Sequence, residues 1–185
     1  GTMTRAAGRV AYAPQAAWNV AGTVRENVVL GAPRGAPFDE GAYKAAVEAA
    51  ALSDDVAEWP EGADTEIGER GISLSGGQAA RLALARVCYA CALAESSDPP
   101  AVALLDDPLS AVDPGVARHL VRRCVGDRLK GCAVVLCTHQ LQFLAAATKV
   151  LVLDDDGTAL ACAPLAEIVA RGGRAAALVA VDGAE

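Results

Sequence analysis

The chain has 185 residues, of which 53% are hydrophobic, 4% aromatic and 21% charged, and its formal net charge is −7. That length supports one ordinary domain with at most a small appendage. Alanine supplies much of the apolar share, no 18-residue apolar run is free of charge, proline and glycine, and the 16 basic residues are scattered among 23 acidic ones. These features read against a membrane-spanning helix and against nucleic acid as a partner.

The first residues, Gly1-Thr2-Met3-Thr4-Arg5, show no apolar stretch behind a basic start, so no secretory signal is read and a cytosolic location is expected. Residues 8–13 read as a short strand ending at Pro14-Gln15, and 33–38 as a Pro/Gly-rich loop. Asp39 can cap a helix that carries Ala42, Ala45, Ala46, Ala49 and Leu52, closed by Trp59-Pro60-Glu61-Gly62. A second helix should begin near Ser75 and pass through Leu82, Ala85, Arg86 and Tyr89. Residues 101–105 form a continuous apolar run, as expected for a strand buried on both faces, and its carboxyl end is Asp106-Asp107. Asp113-Pro114 supplies an N-cap and a first-turn proline for a helix to about Cys124. Another buried strand, 132–137, ends at Thr138-His139. Residues 150–153 and 158–162 around Asp155-Asp156-Gly157 read as a hairpin, Pro164 opens a short helix through Val169, and the tail from 172 is uninformative.

The alternation of strands and helices predicts an α/β fold with a mainly parallel sheet. Chemistry in such sheets collects at the carboxyl strand ends, where Gln15, Asp106, Asp107 and His139 fall. The six cysteines lie in apolar or helical contexts, and Cys88-x-x-Cys91 has no matching second pair, so buried reduced thiols are expected rather than a zinc site or a disulfide framework.

Leu74-Ser75-Gly76-Gly77-Gln78 is locally a capping box, and the plain reading is a helix start. Its two consecutive glycines also leave backbone N–H groups uncovered at the positive end of a helix, as phosphate binding requires. Adjacent carboxylates at a strand end are costly unless a cation or a proton shares them, although a solvated loop would also hold them. Asp106 would suit Mg²⁺ binding through water or from behind a direct ligand, and Asp107 would then face an attacking water. His139 could bond a phosphoryl oxygen or simply be a satisfied polar residue. The Gln15 amide could touch Mg²⁺ or water.

In order, Gln15, Leu74-Ser75-Gly76-Gly77-Gln78, the apolar strand into Asp106-Asp107, Ser110-Ala111-Val112-Asp113 and His139 resemble the Q-loop, signature, Walker B, D-loop and H-loop of ATP-binding-cassette (ABC) ATPases. Thr65-Glu66-Ile67-Gly68-Glu69-Arg70-Gly71 and Asp106-Asp107-Pro108-Leu109-Ser110-Ala111-Val112-Asp113 look like the first nucleotide-binding domain of the C subfamily, the multidrug-resistance-associated exporters. The resemblance covers roughly residues 8 to 171. It implies an ABC core resembling P-loop NTPases (8–32 and 96–171) with a helical signature lobe (33–95) and a tail (172–185). It also implies ATP and Mg²⁺ as cofactors, and as partners a second nucleotide-binding domain and the transmembrane domains of the same transporter, at the cytosolic face of a membrane.

By the resemblance, Asp107, His139 and Gln15 are catalytic and Asp106 and Gln15 hold the metal. Ser75, Gly76, Gly77, Gln78 and Asp113 join Gln15, Asp106 and His139 in binding nucleotide, with the signature serving the partner domain's ATP. Two features depart from the family pattern. No Gly-x-x-x-x-Gly-Lys-Ser/Thr loop occurs, since Lys44, Lys130 and Lys149 all lack that context, and truncation upstream is the simplest reading. Asp107 stands where most family members carry a glutamate base, which implies a weakly hydrolysing site and suits the C subfamily's first domain. The alternatives are a non-catalytic fragment or a soluble, non-transport ABC ATPase. The latter should show a basic surface or an inserted coiled coil.

Overall fold

The computed structural model describes residues 8–68, 71–94 and 100–180. Glu69 and Arg70 of the pre-signature stretch, residues 95–99 at the end of the expected lobe, and both termini lie outside the described residues. The chain divides into two compact units, 1–138 and 139–185.

In the first unit, β1 (Val10–Ala13), β4 (Val102–Asp106) and β5 (Ala133–Cys137) form a parallel sheet in the order β1-β4-β5. On one face Ala11, Ala13, Ala103 and Leu105 are buried. Three of these four are alanines, so a helix can approach the strands closely. That helix is α4 (Gly76–Ala92), whose residues are buried almost without interruption from Ala80 to Cys91, as befits a central element apolar all round. The other face is open, with Val10, Tyr12 and Val135 between 38% and 54% exposed. Residues 101–105 are therefore not buried on both faces. The strand alternates buried and half-buried, because nothing among the described residues covers the second side.

Around α4 lie α1 (Val24–Val29), α2 (Glu40–Ala49) and α3 (Ser53–Glu58), of which α1 and α3 were not expected from the sequence. Asp39 caps α2 as expected, accepting from Ala42 N at 2.9 Å. The two-residue strands β2 (Gly22–Thr23) and β3 (Glu66–Ile67) pair antiparallel. Such short strands carry no period-2 signal to read. Helix α5 (Pro114–Leu120) begins at the Asp113 cap but does not stop near Cys124. Residues Val121–Arg128 continue it with wider, i→i+5 winding, closed by Leu129 N donating to Cys124 O at 2.9 Å.

The second unit contains the expected hairpin, β6 (Val150–Leu153) with β7 (Ala159–Ala163), followed by α6 (Leu165–Arg171). Gly157, at φ +82°, makes the turn in a backbone region that L side chains rarely enter. Residues expected to be uninformative tail form α7 (Gly173–Val179), whose Val179 joins Val150, Val152, Ala163 and Ile168 in a small core. Alanine-rich sequence hid that helix, because its apolar face contains only one large anchor. The cysteines also differ from expectation. Cys88, Cys91 and Cys124 are buried, Cys132 is half-buried, and Cys137 and Cys162 are exposed, since β5 and β7 each turn one face to solvent.

Candidate functional site

The carboxyl ends of β1 and β4 lie side by side in the parallel sheet, so the residues at and just beyond those ends share one edge. Gln15 is exposed two residues beyond β1. Asp106, the last residue of β4, points to the open face of the sheet, where the Tyr12 hydroxyl donates to its Oδ2 at 3.2 Å. Tyr12 is a residue the sequence reading missed. The available signal was strand parity, since Tyr12 pairs with Leu104 and so shares a face with Asp106, two residues on. Desolvation, then the hydrogen bond to Asp106 and its charge, hold the Tyr12 hydroxyl above the ordinary tyrosine range.

Asp107 has φ +47°, and its N–H donates to Cys137 O at 2.9 Å, extending the β4–β5 ladder by one rung before the chain turns. Ser110 closes that turn, its hydroxyl donating to Asp107 O at 2.9 Å, and Leu109 is buried beneath it. Asp113 caps α5, its Oδ1 accepting from Gly115 N at 2.9 Å and Val116 N at 3.0 Å. His139 lies two residues past β5, is exposed, and opens the second unit.

Ser75, Gly76, Gly77 and Gln78 form the amino end of the 17-residue α4. The capping box is complete, with Gln78 N donating to Ser75 Oγ at 3.2 Å and Ser75 N to Gln78 Oε1 at 2.9 Å. The two glycines differ. A Cβ on Gly77 would sit 2.9 Å from Ala111 O, so this turn docks on the loop after Asp107, whereas among the described residues outside its own turn a Cβ on Gly76 would meet nothing within 4 Å. The remaining end of the Gln78 amide donates to Asp55 Oδ1 at 2.8 Å, and Arg81 pairs with Asp55 Oδ2 at 2.5 Å. Asp55 thus ties the start of α4 to α3. It belongs to the acidic first turn of a helix the sequence did not reveal, so its role was not legible.

A groove of about 310 Å³ lies beside β1, lined by Tyr12, Trp18, Leu30, Gly31 and Arg86 among others. Arg86 is buried. Its Nε donates to Asn27 O at 2.8 Å, its other nitrogens reach Trp18 O and Asn27 Oδ1 at 3.3 Å, and its guanidinium lies 4.2 Å from the centre of the Trp18 ring. Desolvation lowers its pKa.

The described residues fit Mg²⁺ and a phosphate chain only as part of a shared site. Asp106 is half-exposed at a strand end with one oxygen engaged by Tyr12, and no group of three or more His, Cys, Asp or Glu among the described residues could hold a metal ion. A single carboxylate at a strand end is a donor Mg²⁺ can take when phosphate oxygens and water complete its shell.

The Asp113 cap makes a test of its own. Its folded pKa is lowered, first by the Val116 N–H, so it contributes stability that is present above the unfolded value of about 4 and is lost as pH falls through the folded one. Asp113→Asn keeps a capping oxygen without the charge. Thermal melts from about pH 7 to pH 3 should show the wild type losing stability more steeply than the variant at the acid end. Parallel curves would show that the charge contributes nothing.

No protein-family model matches the chain. Individual proteins do. The chain is 43% identical over 146 residues, 79% of its length, to ABC transporter C family member 3 of Dictyostelium discoideum. It is 44% identical over 146 residues to the probable multidrug resistance-associated protein lethal(2)03659 of Drosophila melanogaster. It is also 41% identical over 157 residues, 85% of its length, to human ATP-binding cassette sub-family C member 10. In each case it spans about 10% of the relative. Among the described residues no helix is long and apolar enough to cross a membrane. The chain therefore belongs, as a segment about one tenth as long as its relatives, to the C subfamily of ABC transporters.

Proposed function

We propose that this segment is the larger part of a nucleotide-binding domain in an ATP-driven exporter: an ABC core resembling P-loop NTPases, with its signature on a helical lobe spanning 33–95. Ser75, Gly76, Gly77 and Gln78 serve the ATP of a second nucleotide-binding domain. Asp106 and Gln15 hold Mg²⁺ at the domain's own site, Asp113 joins the residues that bind nucleotide, His139 bonds the transferring phosphoryl group, and Asp107 orients the attacking water weakly. The observation that carries this reading is the amino end of α4, which is locked to its own chain through Gly77, Gln78 and Asp55 yet leaves Gly76 facing open space. Its uncovered N–H groups and helix dipole are available to an anion from outside the chain.

The groove beside Trp18 and Leu30 is the surface we assign to the transmembrane domains. Tyr12 and Trp18 in its lining flank Gln15 in the chain, so a push there would be felt by the segment that carries Gln15. At the cytosolic face of a membrane, with an acidic surface, the segment needs no nucleic-acid partner.

The 185 residues contain no phosphate-binding loop with its lysine, which supplies most contacts to bound nucleotide. Calorimetric titration of the chain with Mg-ATP should therefore show binding weaker than about millimolar. Micromolar affinity would reveal a phosphate site elsewhere in the chain and overturn the assignment of Gly76 to a partner's nucleotide.

A further inference from the structure

Four of the six cysteines converge where α4 meets the wide-wound helix and the start of β5. Cys88 and Cys91 lie one turn apart on α4, Cys88 facing Cys124 across that junction and Cys91 sharing a cavity with Cys132. No set of three is arranged to hold a metal among the described residues. The two pairs differ in access. Cys88 and Cys124 are both sealed, and the Cys124 thiol is turned to Ala49 O at 3.1 Å. Cys91 and Cys132, with Ala92, Ala94, Arg128 and Gly131, line a cavity of about 10 Å³, and Cys132 is half-buried at its edge. That volume admits about one water-sized molecule. Arg128 contributes a buried Nε with no hydrogen-bond partner among the described residues, so its guanidinium lines the same cavity as the thiols.

We propose that Cys91 and Cys132 are a modification site for small hydroperoxides, closing to a reversible disulfide that staples α4 to the start of β5. Cys132 Sγ attacks a peroxide oxygen, so that an S–O bond forms, the O–O bond breaks, and the Cys132 proton leaves with the departing oxygen as water from hydrogen peroxide or as the alcohol from an organic hydroperoxide. Cys91 Sγ then attacks the sulfenic sulfur, so that the S–S bond forms, the S–O bond breaks, and the Cys91 proton completes a molecule of water. Two electrons pass from the thiol pair to one peroxide. Arg128 favours negative charge on sulfur and oxygen in both steps. Burial first, and then the neighbouring Cys132, raise the Cys91 pKa, which suits it to the second step rather than the first.

The test is disulfide mapping in the full-length protein in membranes, exposed to hydrogen peroxide and alkylated without reduction. Chymotrypsin cuts after Tyr89 and Leu136, separating Cys91 from Cys88 and Cys132 from Cys137. The expected result is a linked peptide joining Cys91 to Cys132 that dithiothreitol releases. In Cys91→Ser, Cys132 should instead accumulate as a dimedone-reactive sulfenic acid, and Arg128→Gln should slow linkage several-fold. If the exposed Cys137 and Cys162 oxidise while Cys91 stays fully alkylatable on denaturation, or if Cys91 links to Cys88, the proposal is wrong. Wild-type mapping decides this even if a variant fails to fold.

Discussion

In the full-length transporter, Gly76→Asp should lower steady-state ATPase activity by about 100-fold or more, the scale of losing a donor aimed at developing negative charge. The carboxylate would enter the open space beside Gly76, where the proposed reading puts a partner domain's γ-phosphate, adding repulsion and bulk. Misfolding would not account for the loss, because an acidic residue in the first turn of a helix favours the macrodipole and, among the described residues beyond its own turn, nothing lies within 4 Å of the new Cβ. Asp107→Asn should cost far less. Asparagine is among the residues that best tolerate the left-handed backbone found there, so the turn survives, and on the proposed reading a base one methylene short has little hydrolysis to lose. Both variants should be assayed for ATPase activity and vesicle transport in parallel. An equally severe loss in Asp107→Asn would make this domain's own site a principal hydrolytic centre and overturn our reading of it.

Arg86→Leu should be the most damaging single change to the fold, at about 2–4 kcal/mol, read as a fall of roughly 5–15 °C in melting temperature. The replacement fills the space but orphans Asn27 O, Trp18 O and part of the Asn27 amide. Asn27 is itself fully buried and holds Val20 N at 2.9 Å and Val20 O and Thr23 O at 3.0 Å, so the fault spreads to the loop after Gln15. Arg86→Lys separates charge from geometry. A lysine restores the cation without the planar fork, and it should recover only part of the loss. Full recovery would mean that charge over the Trp18 ring, rather than the hydrogen-bonded hub, is what matters.

The central strands and the amino end of α4 were legible because each depends on a local rule. An apolar run of about five residues fits a strand, and Ser-x-x-Gln before an apolar helix fits a cap. Asp113-Pro114 gave the start of α5 on the same basis. What was illegible depends on partners distant in sequence. Tyr12 meets Asp106, 94 positions away, and Arg86 meets Asn27, 59 away. The wide winding after Leu120 leaves no local signature either, since its Arg-rich stretch is compatible with an ordinary helix. In the candidate site, adjacency of β1 and β4 explains why Gln15 and Asp106 share an edge. The different surroundings of Gly76 and Gly77 needed coordinates, because two identical residues carry no difference in sequence.

Helix α4 is also a strut. Seventeen residues span about 25 Å, and a helix of that length resists bending. It is clamped near its amino end by Asp55 and mid-length by the Arg86–Asn27 hub, and Cys88 and Cys91 are buried toward its far end. Anchors spread along one stiff axis fix its direction as well as its position. Gly76 is therefore held at a set distance from the Arg86 hub. A distortion of the groove wall beside Arg86 is resisted along the whole helix, and the amino end keeps its place for as long as the hub does.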